Sequence, residues 1–166
     1  KIEEHSHGLM PYYGGKYKQS TAILNRILEM QLECQKTKFI SLFHGGMSTE
    51  LGVSSYQACM GFQRLVANDG DRGTHLIAYC IQKYRDRFVE VLKERMESHN
   101  DESKSQKYTN ILNESIKYLN EHTKDSLESD DSKVHYAVSA YIATSLSRDN
   151  MTTKKAVFNE HNKMCI

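Results

Sequence analysis

Apolar residues return every three or four positions along much of the chain, a spacing that predicts helices. Ile23, Leu24, Ile27, Leu28 and Leu32 form one stripe over Thr21–Gln35, with Ser20 placed to cap its start. Ile77, Ile81, Tyr84, Phe88, Val91 and Leu92 carry the same spacing through a long helix over 74–96. A third stripe runs through Ile111, Leu112, Ser115, Tyr118 and Leu119 and frays into "TKDSLESDDSK"; a fourth spans Val134–Leu146. Three stretches break this rhythm. "KFISLF" (38–43), "RLVAND" (64–69) and "KAVFN" (155–159) are short, apolar and bounded by turn residues, which predicts strands, the first of them buried. Between the first two, Ser54–Phe62 reads as a short helix.

Two polar stretches stand outside the pattern. "ESHNDESKSQK" (97–107) has no apolar residue and predicts a mobile linker between helical segments, and the opening "KIEEHSHG" predicts a loose end. No repeat or low-complexity tract divides the 166 residues, so the expectation is one domain over 1–166, long enough to bury a core.

Composition narrows the function classes only a little. A net charge of +1 argues against binding nucleic acid by bulk electrostatics. Lys83, Arg85, Arg87, Lys93 and Arg95 alternate with Asp86, Glu90 and Glu94, which reads as a solvated helix face rather than a phosphate track. No apolar run reaches the roughly 18 residues that suggest a membrane span. Cys34, Cys59, Cys80 and Cys165 have no C-x-x-C spacing, so no metal site is expected. They fit free thiols on apolar helix faces in a reducing cytoplasm; the alternative is a secreted helical protein with two disulfides.

The candidate chemistry lies where strands end. In open α/β sheets, ligands sit beyond the carboxyl ends of the strands. The first predicted strand runs into "LFHGGMSTEL", where Gly45 and Gly46 would let a ligand touch the backbone. The second runs into "VANDGD", where Asp69, or Asp71 as a fallback, is placed for a carboxylate that accepts from two ribose hydroxyls. Each signal alone has a plain reading, since Gly-Gly and Asn-Asp-Gly are common turns and His44 could be a satisfied loop histidine. "MPYYGGKYKQ" (10–19) adds a second Gly-Gly, next to a lysine, just before the first helical stripe.

Taken in order, "PYYGGKYKQ", "FISLFHGGMSTEL" and "RLVANDGDRGTHLIAYC" resemble the Dam-like adenine-N6 DNA methyltransferases, with "VHYAVSAYIATSLSRDNMTTKKAVFNEHNKM" similar to the helix and strand of the family's next cofactor contact. The resemblance implies S-adenosylmethionine as cofactor and DNA as partner. It implies a lid from Tyr13, Gly14, Gly15 and Lys16, and a floor from His44, Gly45 and Gly46. Asp69 would take the ribose, and Asn159 or Glu160 would lie near the adenine ring. It also implies a catalytic Asp-Pro-Pro-Tyr, which this chain lacks because Pro11 is its one proline. Base activation needs an acceptor for the amino protons and a stacking aromatic, so no catalytic residue is assigned and the isolated chain is expected to be inactive.

The expected fold is therefore α/β, a partial Rossmann-like methyltransferase sheet with a high helix content, in a cytoplasmic protein. The alternative is an all-α helical bundle serving as a protein–protein interaction or host-modulating domain without catalysis. A disulfide-linked helical cytokine shares that architecture.

Overall fold

The structure, a computed structural model, describes residues 1–4, 8–9, 16–122 and 127–146. The chain, expected to be one domain over 1–166, divides into two compact units, Lys1–Gly70 and Asp71–Ile166.

The first unit opens with a short 3-10 turn, Tyr17–Gln19, and helix α1, Ser20–Cys34. Strand β1 (Lys38–Ser41) is followed by α2 (Ser48–Ser55), α3 (Gln57–Met60) and strand β2 (Arg64–Ala67). The strands pair in parallel with Lys38 opposite Arg64 and Ser41 opposite Ala67. A parallel pair needs a crossover connection rather than a tight turn, and α2 and α3 supply it. Gly61 ends α3 in the left-handed region (φ 69°), the conformation a helix C-terminus commonly requires and glycine adopts without strain.

Ile2, Leu24, Val53, Met60 and Phe62 form this unit's core, with Phe39 tilted against Phe62 at 5.7 Å between ring centroids. Complete burial of Leu24 and Val53 stabilises by about 1.5–3 kcal/mol each. The chain start, expected to be loose, is anchored instead. Ile2 N–H donates to Asn25 Oδ1 at 2.8 Å and the Asn25 amide returns a bond to Ile2 O at 2.9 Å. The Tyr56 hydroxyl donates to Glu4 O.

Several sequence expectations need correction here. Ser20 is the first helical residue rather than the cap; its hydroxyl donates to Lys16 O at 3.0 Å, an acceptor that the 3-10 turn provides. Leu32 drops out of the α1 stripe and stands 73% exposed. β1 is not a buried strand: its residues alternate outward and inward, leaving Ile40, and beyond it Leu42 and Phe43, exposed. A two-stranded sheet with one covered face has that pattern. Among the described residues the sheet has two strands, which is less than a Rossmann sheet. Residues 155–159 lie outside the described residues. The short helix expected over Ser54–Phe62 is instead the end of α2 and all of α3.

The second unit is helical throughout its described residues: α4 (Arg72–Lys83), α5 (Arg85–Glu97), α6 (Lys104–Glu121) and α7 (Asp130–Leu146). α7 packs against α4, α5 and α6 and buries residues on nearly every side, among them Val134, Tyr136, Val138 and Ile142. Ala137, Ala140 and Ala143 keep it slim enough for close approach. The long helix expected over 74–96 is broken at Tyr84 (φ −132°, ψ 40°). The apolar spacing continues in phase across the break, where the Tyr84 ring meets Tyr79 edge-on at 5.9 Å.

The polar stretch 97–107 contributes a shorter connection than its composition suggests. α5 runs to Glu97, Ser103 caps α6 by accepting from Gln106 N–H, and residues 98–102 turn between them. His99 is set between Glu102 (3.1 Å) and Glu114 (3.0 Å), while Asn110 donates to Glu102 at 2.8 Å. Among the described residues no helix is long and apolar enough to cross a membrane.

Candidate functional site

The carboxyl ends of β1 and β2 meet in the first unit. Asn68 N–H donates to Ser41 O at 2.9 Å and His44 N–H donates back to Asn68 O at 3.1 Å, extending the pairing past both strands. Gly45 N–H then donates to Asp69 Oδ2 at 2.8 Å. Gly45 has φ 50°, a left-handed conformation that glycine takes at little cost. Met47 N–H closes the turn on His44 O at 2.8 Å, and Met47, itself left-handed at φ 59°, leads into α2. Leu9 N–H donates to Gly46 O at 2.8 Å, so the segment just ahead of the expected lid is tied to the glycine turn.

Of the expected site residues, His44, Gly45, Gly46 and Asp69 are thus brought to one place. The Asp69 carboxylate braces the turn through the Gly45 amide; the ribose role expected for it would use the same group. Asp71, the fallback, caps α4 instead: Oδ2 accepts from Thr74 N–H at 3.0 Å and from the Thr74 hydroxyl. Lys16 is exposed, and its carbonyl accepts from Gln19 N–H at 2.8 Å. Among the described residues its side chain makes no hydrogen bond or ion pair. Tyr13, Gly14, Gly15, Asn159 and Glu160 lie outside the described residues.

Three further residues enter the site that sequence reasoning passed over. Asn68 forms the backbone bridge and donates from its side chain to Leu42 O at 3.3 Å. Ser41 Oγ donates to Glu50 Oε1, which draws the first turn of α2 onto the end of β1. His44 was read with the glycines, but its burial is new: the residue is 5% exposed, and Nδ1 lies 3.1 Å from Gly45 O. His44 Nε2 and Glu50 Oε2 are buried without hydrogen-bond partners. An available signal was the glutamate placed three residues after Met47 at a helix start.

Elsewhere the chemistry is sparser. A groove of about 260 Å³ opens at the amino ends of the strands, lined by Gln31, Lys36, Thr37, Cys59 and Gly61 among others. That is the end opposite the glycine turn. The Gln31 amide there is engaged with both backbone groups of Lys36. Among the described residues no cluster of His, Cys, Asp or Glu is arranged to hold a metal. The cysteines expected on apolar helix faces divide: Cys80 is buried, whereas Cys34 and Cys59 are exposed, and all three are free. Cys165 is outside the described residues. The basic residues of α5 are taken up locally. Arg87 pairs with Asp131 and Glu90, each at 2.9 Å, and Arg95 lies over the Tyr118 ring at 5.5 Å.

No protein-family model, curated protein or solved structure matches the chain.

Proposed function

We propose that Lys1–Gly70 is the nucleoside-binding half of an S-adenosylmethionine-dependent, DNA adenine-N6 methyltransferase-like domain, without methyl-transfer activity in this chain alone. The observation that carries the reading is the Gly45–Asp69 bond. It brings a glycine turn and a carboxylate, twenty-four residues apart, together beyond the carboxyl ends of two parallel strands, where α/β sheets receive nucleosides. The resemblance of "LFHGGMSTEL" and "VANDGD" to the family's cofactor segments points the same way. His44, Gly45 and Gly46 form the floor, Asp69 the ribose contact and Lys16 the described part of the lid. Inactivity follows from the sequence, which has no Asp-Pro-Pro-Tyr to accept the amino protons and stack on a flipped base.

Saturation-transfer NMR of the full chain with S-adenosylmethionine tests the reading. The adenine and ribose protons are expected to receive saturation, and a methyl-transfer assay on unmethylated DNA is expected to stay at background. A ligand spectrum unchanged by protein contradicts it.

A second reading, a helical protein–protein interaction domain, is favoured by the second unit, whose described residues form three helices packed around a buried fourth, α7. It accounts for 71–146 and leaves the β1–β2 pair without a role.

A further inference from the structure

Sheets made only of parallel strands occur almost always with both faces covered by helices. The β1–β2 pair has one face covered. Phe39 and Leu65, paired in register, turn inward and pack on the core of the first unit. Strand alternation puts Lys38 with Arg64, and Ile40 with Val66, on the other face, and Leu42 continues that row past β1. Ile40 is 58% exposed, Leu42 62% and Phe43, next along, 81%. At the amino end of the same face two cations, Lys38 and Arg64, stand directly opposite each other. Like charges so placed destabilise a strand pair, and among the described residues neither side chain makes an ion pair or hydrogen bond. The face is therefore apolar along most of its length and carries uncompensated positive charge at one end.

We infer that this face docks an amphipathic helix of a partner protein, whose apolar stripe covers Ile40, Leu42 and Phe43 and whose acidic residues meet Lys38 and Arg64. The inference goes beyond the cofactor reading and does not rest on it. A helix fits because helices are what cover the faces of parallel sheets. From Lys38 to Leu42 the strand advances about 13 Å, a length that about nine helical residues match. The acidic end follows from charge. A carboxylate there relieves the Lys38–Arg64 repulsion and gives the Arg64 guanidinium a two-point partner. Direction follows too, since the acidic end of the helix must lie toward the amino ends of the strands. An anionic membrane surface would be served by cations around the apolar row rather than at one end of it.

The test selects binders to the immobilised full chain from a phage-displayed library of random peptides, each about 16 residues or four helical turns long. Affinities of the selected peptides are then measured in solution. The expected consensus has apolar residues at three- and four-residue spacing and acidic residues at one end. The double variant Ile40→Ser with Phe43→Ser is expected to weaken these peptides at least about tenfold. Lys38→Ser with Arg64→Ser is expected to weaken them severalfold, a loss that shrinks at about 0.5 M salt as the charges are screened. All four residues are exposed, so the circular dichroism and melting of each variant are expected to match wild type. Neutral or basic selected peptides overturn the inference, as do peptides indifferent to Ile40 and Phe43. A selection that yields nothing above an uncoated surface overturns it as well. Vesicles of phosphatidylserine and phosphatidylcholine that bind wild type but not Phe43→Ser would overturn it in favour of a membrane. A dimer in sedimentation velocity that the same variant abolishes would overturn it in favour of a second copy of this chain.

Discussion

The backbone amide of Gly45 donates to Oδ2 of Asp69 across 2.8 Å, and that bond, with the one from His44 N–H to Asn68 O, joins the loop after β1 to the loop after β2. A charge-assisted bond of this kind holds the turn in shape before any ligand arrives. Asp69→Ala leaves the amide without its acceptor, at about 1–3 kcal/mol of local stability. The expected outcome is a fall of roughly tenfold or more in the hydrogen-exchange protection of the Gly45 amide. Asp69→Asn, which keeps an acceptor oxygen without the charge, falls between. Unchanged exchange at Gly45 in the alanine variant would show that the bond does not hold the turn.

Cys80 offers a test of the second unit's core. Burial pushes its thiol from 9.0 up to about 11; Lys133 opposes the shift and Asp130 adds to it. Since the thiolate is the nucleophile, native protein treated with iodoacetamide near pH 8 should alkylate at exposed Cys34 and Cys59 first. The raised value lowers the Cys80 thiolate fraction near pH 8 by roughly 100-fold, and burial restricts the reagent's access besides, so Cys80 should react more slowly than either exposed thiol. Peptide mapping by mass spectrometry follows each site. Labelling of Cys80 at the rate of Cys34 would contradict its burial.

His99 makes the 98–102 turn sensitive to pH. The Glu114 carboxylate, and with it Glu102, raises the His99 ring above its ordinary 6.5, against a smaller opposing effect of desolvation. A raised folded value means the ring's contribution to stability is complete below about pH 6.5 and is lost as pH rises through the folded value. An NMR titration should therefore place the His99 midpoint above 6.5. Amides of the turn should be better protected near pH 6 than near pH 8.5 after correction for intrinsic exchange, a difference that His99→Gln removes. A midpoint at or below 6.5 would contradict the clamp.

What could be read from the sequence was local. The stripe at 134–146 is α7 in outline, extended back to Asp130 because the Ser129 hydroxyl accepts from Ser132 N–H at 3.0 Å and starts the helix early. The glycine turn and Asp69 were legible for the same reason: turn chemistry and a strand end are both written within a few residues. Asp71 caps α4 because Thr74 stands three residues on to bond it, while Asp69 accepts from Gly45.

What escaped was set by distant partners. Nothing in the spacing around Tyr84 marks a break, because the ring is in phase with Ile77 and Phe88. The anchoring of Ile2 depends on an amide twenty-three residues away. The outward face of "KFISLF" could not be read from an apolar run, because burial on one face or two depends on how many layers cover the sheet. The unpartnered atoms of His44 and Glu50 exist only once β1, the turn and α2 have closed on one another.

Calorimetric titration of the full chain with S-adenosylhomocysteine tests the central claim most directly. The account predicts saturable binding at one site, with Asp69→Ala weakening it by about 1–3 kcal/mol, the loss of a polar contact to the ribose together with the brace on Gly45. Absence of any binding heat for the wild-type chain at millimolar ligand, at two temperatures so that a vanishing enthalpy is not mistaken for no binding, would contradict it.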